Sequence, residues 1–121
     1  MRYRLAKAAE DALVSIRIES IRQWGKVVAN RYDRLLDQAI EGIAENPFAL
    51  GSREIPRPPG IKVYHIKNSR HHVEREDRIG SPRHLIIYRV ASDGVVEILG
   101  IIYDRMLLRR AANRLTKDAV F

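Results

Sequence analysis

Between Pro82 and Met106 the chain carries two apolar runs separated by Ser92-Asp93-Gly94. The first is His84-Leu85-Ile86-Ile87-Tyr88-Arg89-Val90, and the second runs from Val95 through Glu97 and Gly100 to Tyr103. Both are rich in β-branched and aromatic residues, which fit the pleated surface of a sheet. Asp-Gly between two such runs offers the positive φ of a tight hairpin turn. A hairpin of this kind must be covered on at least one face by other elements.

The amino-terminal half supplies the cover. Tyr3 and Leu5 alternate with Arg2 and Arg4 as a short first strand. Ala8-Ala9-Glu10-Asp11-Ala12 opens a helix that extends to Trp24, with Leu13, Ile16, Ile21 and Trp24 near one side and Gly25 as its stop. A second helix is expected from about Val27 to Glu45. Val28, Tyr32, Leu35, Leu36, Ala39, Ile40 and Ile43 mark its apolar face, and Asn46-Pro47 ends it. With only Gly25-Lys26 between them, the helices fold back as a hairpin. Pro47 to Gly60 reads as a surface loop, Ile61 to Lys67 as a strand, and Asn68 to Arg83 as an extended loop holding His71, His72 and a charge run. The order is β-α-α-β-β-β followed by a basic carboxyl-terminal segment. The fold class is α+β, an antiparallel sheet with the helical hairpin packed on one face and the other face partly open. Leu36, Ile40, Ile43, Ile86, Tyr88, Ile98 and Ile101 are the expected core.

The 121 residues fit a single domain spanning 1–121. The absence of cysteine excludes disulfides, thiolate catalysis and cysteine-ligated metals. The polar start Met1-Arg2-Tyr3-Arg4 is unlike a signal peptide, and the location expected is the cytoplasm. The four histidines, His65, His71, His72 and His84, give no spacing that gathers three ligands, so no metal and no cofactor are expected. A net charge of +7 suits an acidic protein partner or a polyanion.

Several short motifs, taken in order, resemble the RelE/ParE toxin superfamily, and in particular its ParE-type members. They are Tyr3-Arg4-Leu5 with Ala8-Ala9-Glu10-Asp11, Trp24-Gly25 with Arg31-Tyr32, Ala44-Glu45-Asn46-Pro47, Pro59-Gly60-Ile61 with Tyr64-His65, and Pro82 to Arg89 with Val96 to Leu99. Where many members place a histidine after the last strand, this chain has Tyr103. The resemblance implies the toxin of a type II toxin–antitoxin pair. A ParE-type toxin inhibits DNA gyrase by binding and is neutralised by a cognate, ParD-like antitoxin with an acidic tail, in a hetero-oligomer. The alternative is a RelE-type, ribosome-dependent messenger RNA endoribonuclease.

The nuclease alternative needs a base, an acid and cations around a phosphorane. Arg83, His84, Arg89, Tyr103 and Arg105 are the residues that would supply them, since strand ends gather such groups at one edge. Against this, Tyr88 and Tyr103 read equally as sheet aromatics with exposed hydroxyls, and Lys62 and Lys67 match a lysine-rich nuclease strand poorly. The ParE-type reading therefore carries no catalytic residue. The stripe Arg105, Arg109, Arg110, Arg114 and Lys117 lies beside Met106, Leu107, Leu108, Ala111 and Leu115. It is open to three readings: a helix capping the core, a surface for the toxin's target formed by Arg105, Arg109, Arg110 and Arg114, or a nucleic-acid contact. For the antitoxin, the expected groove combines the edge strand at Arg2, Arg4 and Leu5 with Ile18 and Ile21 at the margin of the core stripe.

Overall fold

The computed structural model describes residues 3–72 and 82–121. Strand β1 (Tyr3–Leu5) leads into α1 (Lys7–Trp24) and α2 (Lys26–Glu45). A single residue, Gly25, joins the helices at φ 88°, a left-handed value that favours glycine. Strands β2 (Ser52–Glu54) and β3 (Lys62–His65) follow. A 3₁₀ helix then spans Ile66–His72, and β4 (His84–Val90), β5 (Val96–Tyr103) and α3 (Leu108–Lys117) complete the chain. The sheet order is β1-β5-β4-β3-β2. All neighbours are antiparallel except β1 and β5, which run parallel.

The helical hairpin covers one face. Leu35, Leu36, Ala39, Ile40 and Ile43 of α2 meet Tyr64, Ile86, Tyr88, Val96, Ile98 and Ile101, and every residue of the expected core is buried. Arg17 of α1 pairs with Asp33 of α2 and ties the two helices together. The other sheet face is not left partly open as expected. Ala111, Ala112 and Leu115 of α3 pack there on Ile61, Val63, Leu85, Ile87, Leu99 and Ile102. The basic segment is thus a helix that closes a third layer.

Four local corrections follow from backbone pairing. Ser52–Glu54, inside the expected loop, is a short edge strand on β3, because three polar residues suffice when a neighbouring strand offers free hydrogen-bonding groups. The third strand ends at His65, and Ile66 to His72 turns into the 3₁₀ helix because Ile66 is drawn fully into the core. The extended loop therefore begins later than Asn68, and its remaining segment 73–81 lies outside the described residues. The β4–β5 connection is not a two-residue Asp-Gly turn. Gly94 N–H donates to Ala91 C=O at 2.9 Å and only Gly94 has positive φ, so a turn centred on Ser92-Asp93 is followed by a left-handed glycine. Finally, the register of β5 slips between Gly100 and Ile98, leaving Leu99 as a bulge residue. Leu99 and Gly100 both face α3, and a methyl at Gly100 would lie 2.5 Å from Leu115 Cδ1.

Candidate functional site

The end of the sheet where β4 begins and β5 finishes gathers polar groups on both faces. On the helical-hairpin side, the Tyr32 hydroxyl accepts the Arg83 N–H at 3.1 Å and lies 2.6 Å from His84 Nδ1. Burial pushes the Tyr32 pKa up to about 12, so its proton is retained and donated to Nδ1. Burial also pulls the His84 pKa down to about 4, which keeps the imidazole neutral and able to accept. The His84 ring lies 4.5 Å from that of Tyr103, its partner across the β4–β5 ladder. On the α3 side, His65 Nδ1 accepts the Lys67 N–H at 3.1 Å, so Nε2 carries the hydrogen and donates to Asp104 at 3.0 Å. Arg83 Nε donates to the same carboxylate at 3.2 Å. These bonds from His65 and Arg83 hold the Asp104 carboxyl below the usual carboxylate range.

This geometry bears directly on the nuclease constellation. His84 and Tyr103 come together on the hairpin face, Arg83 turns its guanidinium to Asp104 on the opposite face of the same sheet end, and Arg89 is elsewhere. It sits at the far end of β4, where its Nε donates to Glu97 at 2.8 Å. It lies five positions along the strand from His84, roughly 17 Å at 3.3 Å per residue. His84 is buried, not offered to solvent, and both ring nitrogens of His65 are engaged within the chain. Tyr88 is buried as expected of a core residue, but its hydroxyl is not exposed: it donates to Pro47 C=O at 2.6 Å. Tyr103 and Arg105 remain exposed. Among the described residues no three metal-ligating side chains converge, and no helix is long and apolar enough to cross a membrane.

The neutral, buried His84 makes a titration signature. As pH falls from the unfolded histidine value of 6.5, the unfolded chain takes up the proton first, so stability declines between pH 6.5 and about 4. The full effect is about 3 kcal/mol. The contribution of Asp104 is lost in a lower window, as pH falls through its depressed pKa. In His84→Phe the slope of denaturation midpoint against pH between about 6.5 and 5, above the carboxylate window, should disappear. A slope that persists would assign it to another group.

The outer surface of α1 is the second candidate. The helix has two apolar sides. Ala9, Ala12, Leu13 and Ile16 pack on the core. Val14, Ile18 and Ile21 form an i, i+4, i+7 stripe on the opposite side, with Ile18 52% exposed and Ile21 half-buried. Trp24, expected on the core side, is 66% exposed at the same end of the hairpin as Val27. Among the described residues, strand β1 lies at a sheet edge, with β5 as its one neighbour. Leu5 is half-buried against the core, so it offers its backbone and not its side chain. Arg4 donates to Asp93 at 2.9 Å and lies 3.4 Å from Glu97, while Arg2 lies outside the described residues. Arg109, Arg110 and Arg114 are exposed along the third surface, the outer side of α3, and Arg105 is exposed in the turn that precedes it.

The site thus sits on a three-layered α+β fold: a helical hairpin on one face of a five-stranded sheet, α3 on the other, and an exposed apolar stripe along α1. A family model described as the ParE toxin of type II toxin–antitoxin system matches residues 3–108. The chain belongs to the ParE toxin family. Its relatives include Toxin ParE1 of Mycobacterium tuberculosis, from strains CDC 1551 / Oshkosh and ATCC 25618 / H37Rv. Each is 27% identical over 105 residues, covering 87% of this chain and 91% of the relative. The family match stops at Leu108, the first residue of α3.

Proposed function

We propose that this ParE-type toxin acts in the cytoplasm by binding DNA gyrase, without covalent chemistry, and is neutralised by a ParD-like antitoxin in a hetero-oligomer. The observation that carries the reading is family membership across residues 3–108. The internal engagement of His65, His84 and Arg89 supports a binder over a nuclease, because a general base needs a free nitrogen near the reacting proton. The target surface is assigned to Arg105, Arg109, Arg110 and Arg114 together with the exposed Tyr103, Met106 and Leu107 between β5 and α3. Tyr, Met and Arg are the residue types enriched at protein interfaces. The antitoxin surface is assigned to the Val14-Ile18-Ile21 stripe and the free edge of β1, which suit a helix followed by an added strand. The positive charge of the toxin draws in the acidic antitoxin tail and makes association sensitive to salt.

Induced expression of the toxin alone in bacteria is the test. The expected outcome is filamentation with DNA-damage signalling, relieved by co-expression of the small acidic-tailed product of the same operon. An immediate arrest of protein synthesis with cleaved messages would overturn this reading in favour of the ribonuclease.

A further inference from the structure

The net charge of this chain is not spread evenly. Residues 105–117 contain Arg105, Arg109, Arg110, Arg114 and Lys117 and no acid, so they carry five of the seven net positive charges. None of the five makes an ion pair with a described residue. Elsewhere Arg4, Arg17, Arg22, Arg83 and Arg89 all pair with carboxylates. The side of α3 that holds Ala111, Ala112 and Leu115 is buried on the sheet. At about 100° per residue, Arg109, Asn113, Lys117, Arg110 and Arg114 fall in order on the opposite side, over an arc of roughly 140°. All five are exposed.

This clustering works against the helix itself. Arg110 and Arg114 are like charges at i, i+4, which destabilise a helix by a few tenths of a kcal/mol. Arg109 and Arg110 lie in the first turn, where the helix dipole is already positive, and no acid is present there. The surface therefore departs from an ordinary solvated face, in which both signs alternate. It also lies beyond the segment that defines the family match.

We propose that the outer side of α3 binds the phosphate backbone of duplex DNA without regard to sequence. The helix is about 15 Å long, and each strand of a duplex carries one phosphate per roughly 3.4 Å of axis, so about four to five phosphates of one strand span its length. The arc spreads its cations over roughly 140° of the helix surface, with Lys117 between Arg109 and Arg110. A single acidic peptide strand covers a narrow part of that arc, whereas a duplex backbone is broad enough to meet most of it. The guanidinium fork matches a phosphate in two parallel hydrogen bonds. No aromatic side chain lies on the arc, so base stacking with single strands has no platform there. The inference deepens the assignment of these arginines to target binding, since gyrase acts on DNA. Failure of the binding test would leave the growth phenotype of the toxin intact, so the two readings fail separately.

The test is titration of the full chain with a fluorescent 20-base-pair duplex over a range of salt. Four to five phosphate contacts predict a slope of log K against log salt near −4. Arg110→Ala with Arg114→Ala should reduce the slope by about 2, whereas Arg110→Lys with Arg114→Lys should keep it. Lys26→Ala with Arg53→Ala removes two exposed charges from other surfaces and should leave it unchanged. All four substituted positions are exposed, and circular dichroism confirms that each variant is folded. The proposal is overturned if the duplex does not bind or if the control pair lowers the slope as much as the α3 pair. It is equally overturned if single-stranded DNA or polyglutamate of equal charge binds as tightly as the duplex.

Discussion

Ile40→Ala should lower the unfolding free energy by about 2–5 kcal/mol, the range for truncating a buried aliphatic side chain. Ile40 is 2% exposed on the inner face of α2, in the cluster that also holds Leu36, Ile43, Ile86, Tyr88 and Ile98. Its neighbours come from different elements, so α2 cannot shift to fill the void without leaving the sheet. The lost methylenes account for part of the cost and the residual cavity for the rest. A urea titration reads the effect as a lower midpoint with an unchanged slope. A midpoint that does not move would contradict the packing of the hairpin on the sheet.

The second large effect concerns the antitoxin. Ile18→Glu with Ile21→Glu should weaken the toxin–antitoxin complex by at least 100-fold, about 3 kcal/mol. Ile18 is exposed and Ile21 half-buried, outside the core cluster, and Glu is a better helix former than Ile, so the free toxin stays folded. Two carboxylates in the stripe would be desolvated against an apolar helix face and would repel an acidic tail. Isothermal titration with the operon partner measures the change. An unaltered dissociation constant for a folded double variant would move the antitoxin to another surface.

The contrast between these two positions shows what periodicity can reveal. The stripe from Leu35 to Ile43 on α2 is one-sided, and it names the core face without help. On α1 the apolar residues occupy two opposite sides, so Leu13 and Ile16 are legible as core and Ile18 and Ile21 as its margin, while the grouping of Trp24 with Leu13 and Ile16 fails because Trp24 is exposed. Only the placement of α2 and the sheet decides which stripe is buried. The β4–β5 hairpin was equally legible from its apolar runs, but the bulge at Leu99 was not, although Gly100 within a strand is the kind of signal that accompanies one. Strand β2 has three polar residues and no period to read, and it exists because β3 offers it an edge.

For the site, chain order placed His84 and Tyr103 at strand ends, and pairing brought them face to face. Arg89 was grouped with them because it belongs to the same strand, yet register places it at the opposite end beside Glu97. The Tyr32–His84 hydrogen bond joins residues 52 positions apart, and the His65–Asp104 bond joins residues 39 apart. No local pattern encodes either contact. Both arise from packing, and both leave the histidines serving the structure.

Binding of gyrase is the proposed action of this ParE-family chain. A supercoiling assay with purified gyrase, relaxed plasmid and the purified toxin tests it most directly. The account predicts dose-dependent loss of supercoiling, restored by the antitoxin and weakened in Arg109→Ala with Arg110→Ala, with ribosome-bound messages left intact. Full supercoiling activity at saturating toxin, together with messages cut on the ribosome and protected in Tyr103→Phe, would contradict it.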